Sequence, residues 1–245
     1  MKAYIQKIDK DFTDDWMFAA YLGCKQLGME VIFFEEIEEV PKNQFVISFI
    51  EDTIKYLESA GIEIPIPLNI PEELMRYTNR KINTANLQDI ISYPELFIFP
   101  IFIKPHSKLK AFSSGVLSKP TGLSLIFSDV KDKNQLAQIS SVVPMLSEYR
   151  CFIKNKKIIG IKHYSGDFKL FPNLDQIEKM VNSYTKSPIA YTLDVAITTH
   201  EVSSLVYFKT ILVECNDGWS VGNYGLDGET YVNFLLARWK ELTKK

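Results

Sequence analysis

Short apolar runs alternate with amphipathic stretches along the first third of the chain. The apolar runs have the length and the β-branched and aromatic content of strands, and they fall at residues 3–8, 31–34 and 45–50. Between the first two runs, apolar residues recur at helical spacing from Trp16 to Leu27, and Gly28 follows as a helix stop. A second short helix is predicted to end at Gly61. Alternating strands and helices are typical of an α/β unit, which we expect here.

A proline-rich connector separates this unit from the rest of the chain. Residues 62–71 contain three prolines and are expected to be extended, and a short helix is predicted at 72–77. We therefore predict a boundary after residue 78, with domains at 1–78 and 79–245. Beyond it the pattern is mainly that of strands, with two helices, and the predicted elements fall at residues 96–104, 115–117, 122–127, 139–143, 150–153, 157–161, 174–184 and 229–242. Residues 191–225 are predicted to form two strands joined by a polar turn and followed by a loop.

Two carboxylates and an amide interrupt the long apolar strands near the C-terminus. Asp194 lies on the first of these strands, and Glu214 and Asn216 end the second. Side chains two residues apart on a strand share a face, so Glu214 and Asn216 project together. Carboxylate and amide oxygens suit a hard cation such as Mg²⁺. Asp194 taken alone also fits the solvent face of a strand, so the divalent-cation site is a hypothesis.

A strand that runs into a polar loop is the second candidate site. Lys104 ends an apolar run, and the loop after it contains Lys110 and the small residues Ser113, Ser114 and Gly115. An ammonium group and backbone N–H donors can hold phosphate oxygens. A solvated hairpin loop has the same composition. No GxxxxGK[ST] is present, which excludes a P-loop motif, and no GxGxxG follows a strand.

The segment SEYRCFI carries the third candidate site. Glu148 and Arg150 are two residues apart and share one strand face, while Tyr149 and Cys151 point the other way. A guanidinium on a sheet can fork onto a phosphate, and a carboxylate can hold it in place. The alternative is an ion pair on an exposed sheet face, which contributes little stability.

Composition narrows the class of protein. The chain of 245 residues is 46% hydrophobic, as expected for a globular protein with a sizeable core. Its formal net charge of −2 argues against a nucleic-acid partner. Three widely spaced cysteines without a CxxC pair argue against a disulfide framework and a zinc site. The N-terminus lacks the apolar core of a signal peptide and no apolar run is long enough to span a bilayer, so we expect a soluble cytoplasmic protein with no membrane partner.

The order of these motifs resembles that of the ATP-grasp superfamily, from about residue 80 to the C-terminus. PIFIKP is similar to the strand with a phosphate-binding lysine, and KLKAFSSGVL to the small-residue loop over the triphosphate. SSVVPMLSEYRCFI resembles the adenine hinge and a strand with a functional arginine, while TLDVAI and LVECNDG resemble the magnesium-binding strands. The resemblance implies a mixed α/β and α+β chain with an ATP-grasp fold. It further implies a pre-ATP-grasp α/β domain at 1–78, a small lid at 95–145 and a metal-binding core at 146–245.

The resemblance also implies roles for individual residues. Contacts to ATP would come from Lys81, Lys104, Lys110, Ser113, Ser114, Gly115, Val142, Val143 and Glu148. Arg80 is an equal candidate to Lys81 for the earlier phosphate contact. Arg150 and Lys162 would act on the transferred phosphoryl group. The ligands of Mg²⁺, or of Mn²⁺ as an alternative, would be Asp194, Glu214 and Asn216.

The implied reaction is the ATP-dependent joining of a carboxylate to an amine through an acyl phosphate, with release of ADP. The acid and the amine could be amino acids, peptides or proteins. Two alternatives keep the fold: a kinase that stops after phosphorylating its substrate, and a nucleotide-binding interaction protein without catalysis. A polynucleotide ligase is disfavoured because its KxDG motif is absent. The substrates, the pathway and the oligomeric state stay open.

Overall fold

The structure is a computed structural model that describes residues 1–8, 11–108, 111–123, 127–128, 130, 132–202 and 205–244. Within these residues the chain forms three separate sheets, each with its own strands, and helices that pack on them. The N-terminal sheet is parallel and the other two are antiparallel. The arrangement is mixed α/β and α+β, as the sequence predicts.

The N-terminal unit is the predicted α/β unit. Its elements are β1 (Lys2–Gln6), α1 (Asp15–Gln26), β2 (Glu30–Phe34), β3 (Phe45–Ile47) and α2 (Ile50–Ser59). The strands pair in parallel in the order β2-β1-β3. Parallel neighbours need a crossover connection, which α1 supplies between β1 and β2.

The middle of the chain forms the second sheet. Its elements are β4 (Ile82–Asn86), α3 (Leu87–Ser92), β5 (Ile101–Pro105), β6 (Gly115–Leu117) and β7 (Leu136–Ser141). The strand order is β4-β7-β5-β6, and the predicted pairing of the Lys104 strand with the strand at Gly115 is confirmed. Its core lies between the sheet and α3, with Leu87 and Ile90 of that helix buried.

Two strand predictions in this region are wrong in part. The strand predicted from residue 96 begins only at Ile101, because Pro94–Leu96 forms a 3₁₀ turn and Pro100 has no N–H to give to a ladder. The strand predicted at 122–127 is not formed by its described residues, since Leu123 and Phe127 are helical. Their side chains are both buried and lie four residues apart, a spacing that puts them on one face of a helix.

The C-terminal sheet is built from long antiparallel strands. Its elements are β8 (Ser147–Lys154), β9 (Lys157–Gly166), α4 (Leu174–Ser183), β10 (Ala190–Val202), β11 (Leu205–Asp217) and α5 (Gly228–Leu242). The strand order is β11-β10-β8-β9. Tyr149 and Cys151 face α4 in one core, while Phe152 lies on the opposite face and meets Phe234 of α5 with ring centroids 5.4 Å apart.

Close packing of α1 against α5 holds the N-terminal unit to this sheet. A Cβ on Gly23 would lie 1.9 Å from the carbonyl oxygen of Gly228, so the two backbones approach at a distance that only glycine permits. The two helices and the N-terminal sheet share one core with Phe152 and Trp239. This contact brings the start of α1 near the polar face of the C-terminal sheet.

The predicted domain limits at 78 and 145 stay predictions, although the second sheet lies between them. The 3₁₀ turn at Glu72–Tyr77 packs against α4, and its Leu74 and Tyr77 are buried in the core between α4 and the C-terminal sheet. Across the described residues, no helix has both the length and the apolar character needed to cross a membrane.

Candidate active site

The polar residues predicted on separate strands meet on one face of the C-terminal sheet. Asp194 of β10 is the cross-strand neighbour of Arg150 on β8 and of Glu214 on β11. Asn216 follows two residues after Glu214 and therefore projects from the same face. Glu148 and Arg150 also share this face, because Tyr149 between them is buried against α4. Strand alternation and antiparallel register thus assemble the site.

Arg150 and Asp194 form a buried, two-pronged ion pair. Arg150 donates from Nε to Asp194 Oδ1 at 2.8 Å and from Nη2 to Oδ2 at 2.6 Å. The two residues are only 7% and 3% exposed. Burial raises the pKa of Asp194 to about 6 even though the hydrogen bonds and charge of Arg150 oppose that shift. For Arg150, burial is outweighed by Asp194, so its pKa is raised and it stays cationic.

Tyr224 covers the other side of Arg150. The centre of its ring lies 4.1 Å from the guanidinium carbon, which is a cation–π contact. Tyr224 adopts a φ of 47°, in the left-handed region that non-glycine residues rarely occupy. Its ring also meets Tyr164 edge-on, with centroids 5.3 Å apart. The loop after β11 is therefore folded back onto the arginine.

Glu214 is the carboxylate that faces open space. Its side chain is 32% exposed, and its Oε2 lies 3.5 Å from Nζ of Lys104 on the second sheet. Asn216 Nδ2 donates to Glu214 Oε1 at 2.8 Å. Burial alone would raise the pKa of Glu214, but Lys104, Asn216 and Arg150 outweigh it and lower the pKa. The carboxylate is thus held ionised beside a lysine from another sheet.

A cleft of about 550 Å³ with mixed polar and apolar walls brings together several of the predicted phosphate-binding residues. We call it the Lys104 cleft. Its walls include Lys104, Ser113, Ser114, Glu214 and Asn216, together with residues 65–69 of the proline-rich connector. The loop after β5 and the end of β11, predicted as separate sites, therefore line the same space.

A second, more apolar cavity of about 360 Å³ adjoins this cleft. We call it the Val143 cavity. Val142, Val143 and Glu148 line it, as does Arg80. Lys104 and Glu214 line both this cavity and the Lys104 cleft. The lysine–glutamate pair therefore stands at the junction of a more apolar and a more polar compartment.

A third cavity of about 690 Å³ lies on the far side of the cleft. We call it the Arg150 cavity. Arg150, Asn216 and Tyr224 line it, and so do Asp14 and Asp15 at the start of α1. Asn216 is shared with the Lys104 cleft. Cavities of this size are typical of small-molecule sites.

Not every predicted residue reaches these spaces. Lys81 is exposed and its backbone N–H donates to Ser141 Oγ, whereas Arg80 lines the Val143 cavity; which of the two makes the earlier phosphate contact stays a prediction. Gly115 begins β6 beside the cleft without lining it. Lys162 is half-buried on β9 opposite Arg150 and lines none of the three cavities. Lys110 lies outside the described residues.

Spacing along the chain carries no signal for several residues that line the site. Asp14 and Trp16 come from the N-terminal unit, and Tyr224 follows β11 in a loop. They reach the site through the packing of α1 on α5 and the fold of that loop. Only the three glycines of residues 218–225 indicate a tight path there.

Solved structures with a similar fold define the class of protein. A RimK domain ATP-grasp protein from Sphaerobacter thermophilus is 13% identical, with 96% of this chain and 100% of that chain covered and a TM-score of 0.56. D-alanine–D-alanine ligase from Bacillus anthracis complexed with ATP is 12% identical, with 98% of this chain and 95% of that chain covered and a TM-score of 0.51. Phosphoribosylamine–glycine ligase from Thermotoga maritima is 11% identical, with 100% of this chain and 77% of that chain covered and a TM-score of 0.53. At these identities the likeness shows the fold alone, which is the ATP-grasp fold.

A family model then narrows the class. The model described as ATP-grasp domain, R2K clade family 2, matches residues 77–234. The chain belongs to this family, and the predicted ATP-grasp resemblance is confirmed. No curated protein sequence matches the chain.

Proposed function

We propose that the protein is an ATP-dependent ligase that joins a carboxylate to an amine through an acyl phosphate. The family and the ligases that share the fold support an ATP-dependent ligase in general terms. The observation that carries the finer proposal is the Lys104–Glu214 pair, 3.5 Å apart, at the junction of the more apolar Val143 cavity and the more polar Lys104 cleft. A nucleotide has this same division into an apolar base and a charged triphosphate.

The two compartments match the two parts of ATP. Phe102, Val116, Val142 and Val143 offer apolar contact to a purine ring, and Glu148 offers a hydrogen-bond acceptor for its amino group. In the cleft, Lys104 supplies positive charge, and Ser113 and Ser114 supply hydroxyl and backbone donors for phosphate oxygens.

The donor set fits Mg²⁺. Glu214 and Asn216 line the cleft and carry oxygen ligands, the kind that Mg²⁺ prefers. Asp194 is predicted with them, but both of its oxygens accept from Arg150, and it lines none of the three cavities. We therefore assign Glu214 and Asn216 as metal ligands. We assign Asp194 to holding Arg150 in place. When bound, Mg²⁺ would neutralise charge on the phosphate oxygens.

We assign Arg150 to the transferred phosphoryl group. A carboxylate oxygen of the acid attacks the γ-phosphorus, the bond to the bridging oxygen breaks, and ADP leaves. The neutral amine nitrogen then attacks the acyl carbon, the C–N bond forms, and phosphate leaves with the electrons of the C–O bond and takes up the proton that the nitrogen loses. Charge builds on phosphate oxygens in the first step and on the acyl oxygen in the second, and a guanidinium fixed by Asp194 stabilises both without reorientation.

The Arg150 cavity suits an incoming amine. Asp14 and Asp15 are exposed and line this cavity together with Arg150. Their negative charge favours an ammonium group before it loses a proton and attacks. An acid held beside Arg150 and an amine arriving beside these aspartates would meet near Asn216.

A hydroxylamine trap tests the proposal. The protein is incubated with ATP, Mg²⁺, hydroxylamine and single acids from a panel of amino acids and short peptides, and hydroxamate and ADP are measured together. We expect equal amounts of both from at least one acid. Lys104→Ala should lower the rate by about 10²- to 10³-fold, the loss typical when one charge-stabilising group is removed.

Lys119→Ala is the matched control, because Lys119 is an exposed lysine of the same region that lines none of the three cavities. It should leave the rate unchanged. ADP with a phosphorylated substrate and no hydroxamate would identify a kinase instead. Nucleotide binding without turnover of any acid would favour the non-catalytic alternative.

A further inference from the structure

A small apolar pocket opens beside the Arg150 cavity. Its volume is about 200 Å³, and we call it the Trp16 pocket. Among the described residues that line it, none is charged. Most are aromatic or aliphatic and come from α1, the end of β3, the loop after β11 and helix α5: Trp16, Val46, Phe49, Trp219, Val221 and Leu235.

The pocket is continuous with the proposed reaction site. Ser220 lines the Trp16 pocket, the Lys104 cleft and the Arg150 cavity, so the three spaces meet at this residue. Val221 and Gly222 line both the pocket and the Arg150 cavity. A molecule whose carboxylate lies near Arg150 and Asn216 can therefore extend a side group into the pocket.

The walls of the pocket are held in place by contacts of their own. Trp16 meets Phe49 edge-on, with ring centroids 5.9 Å apart. Tyr231 donates its hydroxyl to the carbonyl oxygen of Val221 at 2.6 Å, which fixes the loop after β11. Ser48 is already paired with Thr53, with the two hydroxyl oxygens 2.8 Å apart. The pocket thus presents formed apolar walls and satisfied polar groups.

We propose that the acid substrate carries an apolar side group, branched aliphatic or aromatic, which fills the Trp16 pocket. The inference rests on the proposed function and names the substrate class for the same site. An apolar protein cavity of roughly 150 Å³ can bind benzene, so the pocket has room for an isobutyl or a phenyl group. A charged group would lose its hydration there without gaining a partner. Pockets of this kind discriminate by about 10- to 100-fold.

A binding experiment tests the pocket without any turnover. The probes are 3-phenylpropanoate, 4-methylpentanoate, acetate and succinate, each titrated in the presence of Mg²⁺ and a non-hydrolysable ATP analogue. Tryptophan fluorescence reports binding, because two of the three tryptophans, Trp16 and Trp219, line the pocket. We expect the two apolar acids to bind roughly 10- to 100-fold more tightly than acetate. Equal affinities, or a preference for succinate, would overturn the inference.

A pair of variants separates the pocket from general hydrophobic binding. Ile50 is half-buried and lines both the Trp16 pocket and the Lys104 cleft, so Ile50→Trp adds bulk to the wall of the pocket. It should remove the preference for 3-phenylpropanoate over acetate. Phe18→Ala is the matched control, because Phe18 lies on α1 with Trp16 but is 48% exposed and lines none of these spaces. It should leave the preference intact, and a loss of equal size in both variants would contradict the proposal.

The hydroxylamine assay distinguishes failure of this inference from failure of the proposed function. Hydroxamate from leucine or phenylalanine in preference to aspartate, lysine and glycine is the expected result. Hydroxamate from polar or small acids alone would overturn the inference and leave the ligase proposal standing. Tight binding of the apolar probes without hydroxamate from any acid would overturn the ligase proposal and leave the pocket assignment standing.

Discussion

Removing Asp194 should destabilise the protein strongly, because the buried charge of Arg150 depends on it. The guanidinium is 7% exposed and gives two hydrogen bonds to the Asp194 carboxylate, at 2.8 Å and 2.6 Å. In Asp194→Ala both acceptor oxygens disappear and the arginine remains inside. The neighbouring Glu214 is engaged with Lys104 and Asn216, so it offers only partial compensation.

The expected loss follows from the cost of an unpaired buried charge. Deleting one partner of a buried ion pair typically costs about 3–5 kcal/mol of unfolding free energy. For a chain of this size, each kcal/mol lowers the melting temperature by about 2–4 °C. Asp194→Ala should therefore melt about 6–20 °C below the wild type.

Urea and thermal unfolding measure this loss, with two comparison variants. Glu30→Ala breaks the exposed Lys2–Glu30 pair, whose side chains are 50% and 62% exposed, and should cost less than about 1 kcal/mol. The double variant Arg150→Met/Asp194→Leu removes both charges and should recover most of the stability while remaining inactive. A loss below about 1 kcal/mol in Asp194→Ala, or a double variant as unstable as the single one, would refute the account of this pair.

Three further predictions concern separate parts of the chain. Asp227 caps α5 by accepting from the Thr230 N–H, which lowers its pKa, so its stabilisation is complete above about pH 4 and fades as the pH falls through the lowered value. In thermal melts at pH 7, Asp227→Ala should cost about 1 kcal/mol and Asp227→Asn much less, with a smaller gap to the wild type at pH 3. Native protein should not react with a thiol reagent until it unfolds, because Cys24, Cys151 and Cys215 are buried and burial raises the pKa of each thiol. For Cys24 the pKa is raised to about 12. Arg80→Ala should raise the KM for ATP well above that of Lys81→Ala, and the reverse order would favour the lysine assignment.

Periodicity predicted the parts of the fold in which local pattern and tertiary role agree. The alternation in SEYRCFI puts Glu148 and Arg150 on the site face of β8 and Tyr149 and Cys151 on the face toward α4. On β11, the two-residue spacing puts Glu214 and Asn216 on the site face. Both hold because a sheet buried on one side forces period two on its side chains. The strand predicted at 122–127 failed because a short apolar run fits a helix as well as a strand.

Long-range contacts could not be predicted from local pattern. Asp194 looks the same in sequence whether it meets a metal or Arg150, since its partner lies 44 residues away. Which of Arg80 and Lys81 reaches the Val143 cavity depends on how the chain enters β4. The Trp16 pocket depends on the close approach of α1 to α5 at Gly23, which no spacing rule encodes.

Transfer of carboxylate oxygen to phosphate tests the central claim most directly. An acid that forms hydroxamate is labelled with heavy oxygen in its carboxylate and is turned over with ATP, Mg²⁺ and hydroxylamine. The released phosphate is then examined by mass spectrometry. An acyl phosphate passes one carboxylate oxygen to the phosphate, so the account predicts ADP together with singly labelled phosphate. Unlabelled phosphate, or AMP and pyrophosphate in place of ADP, would contradict it.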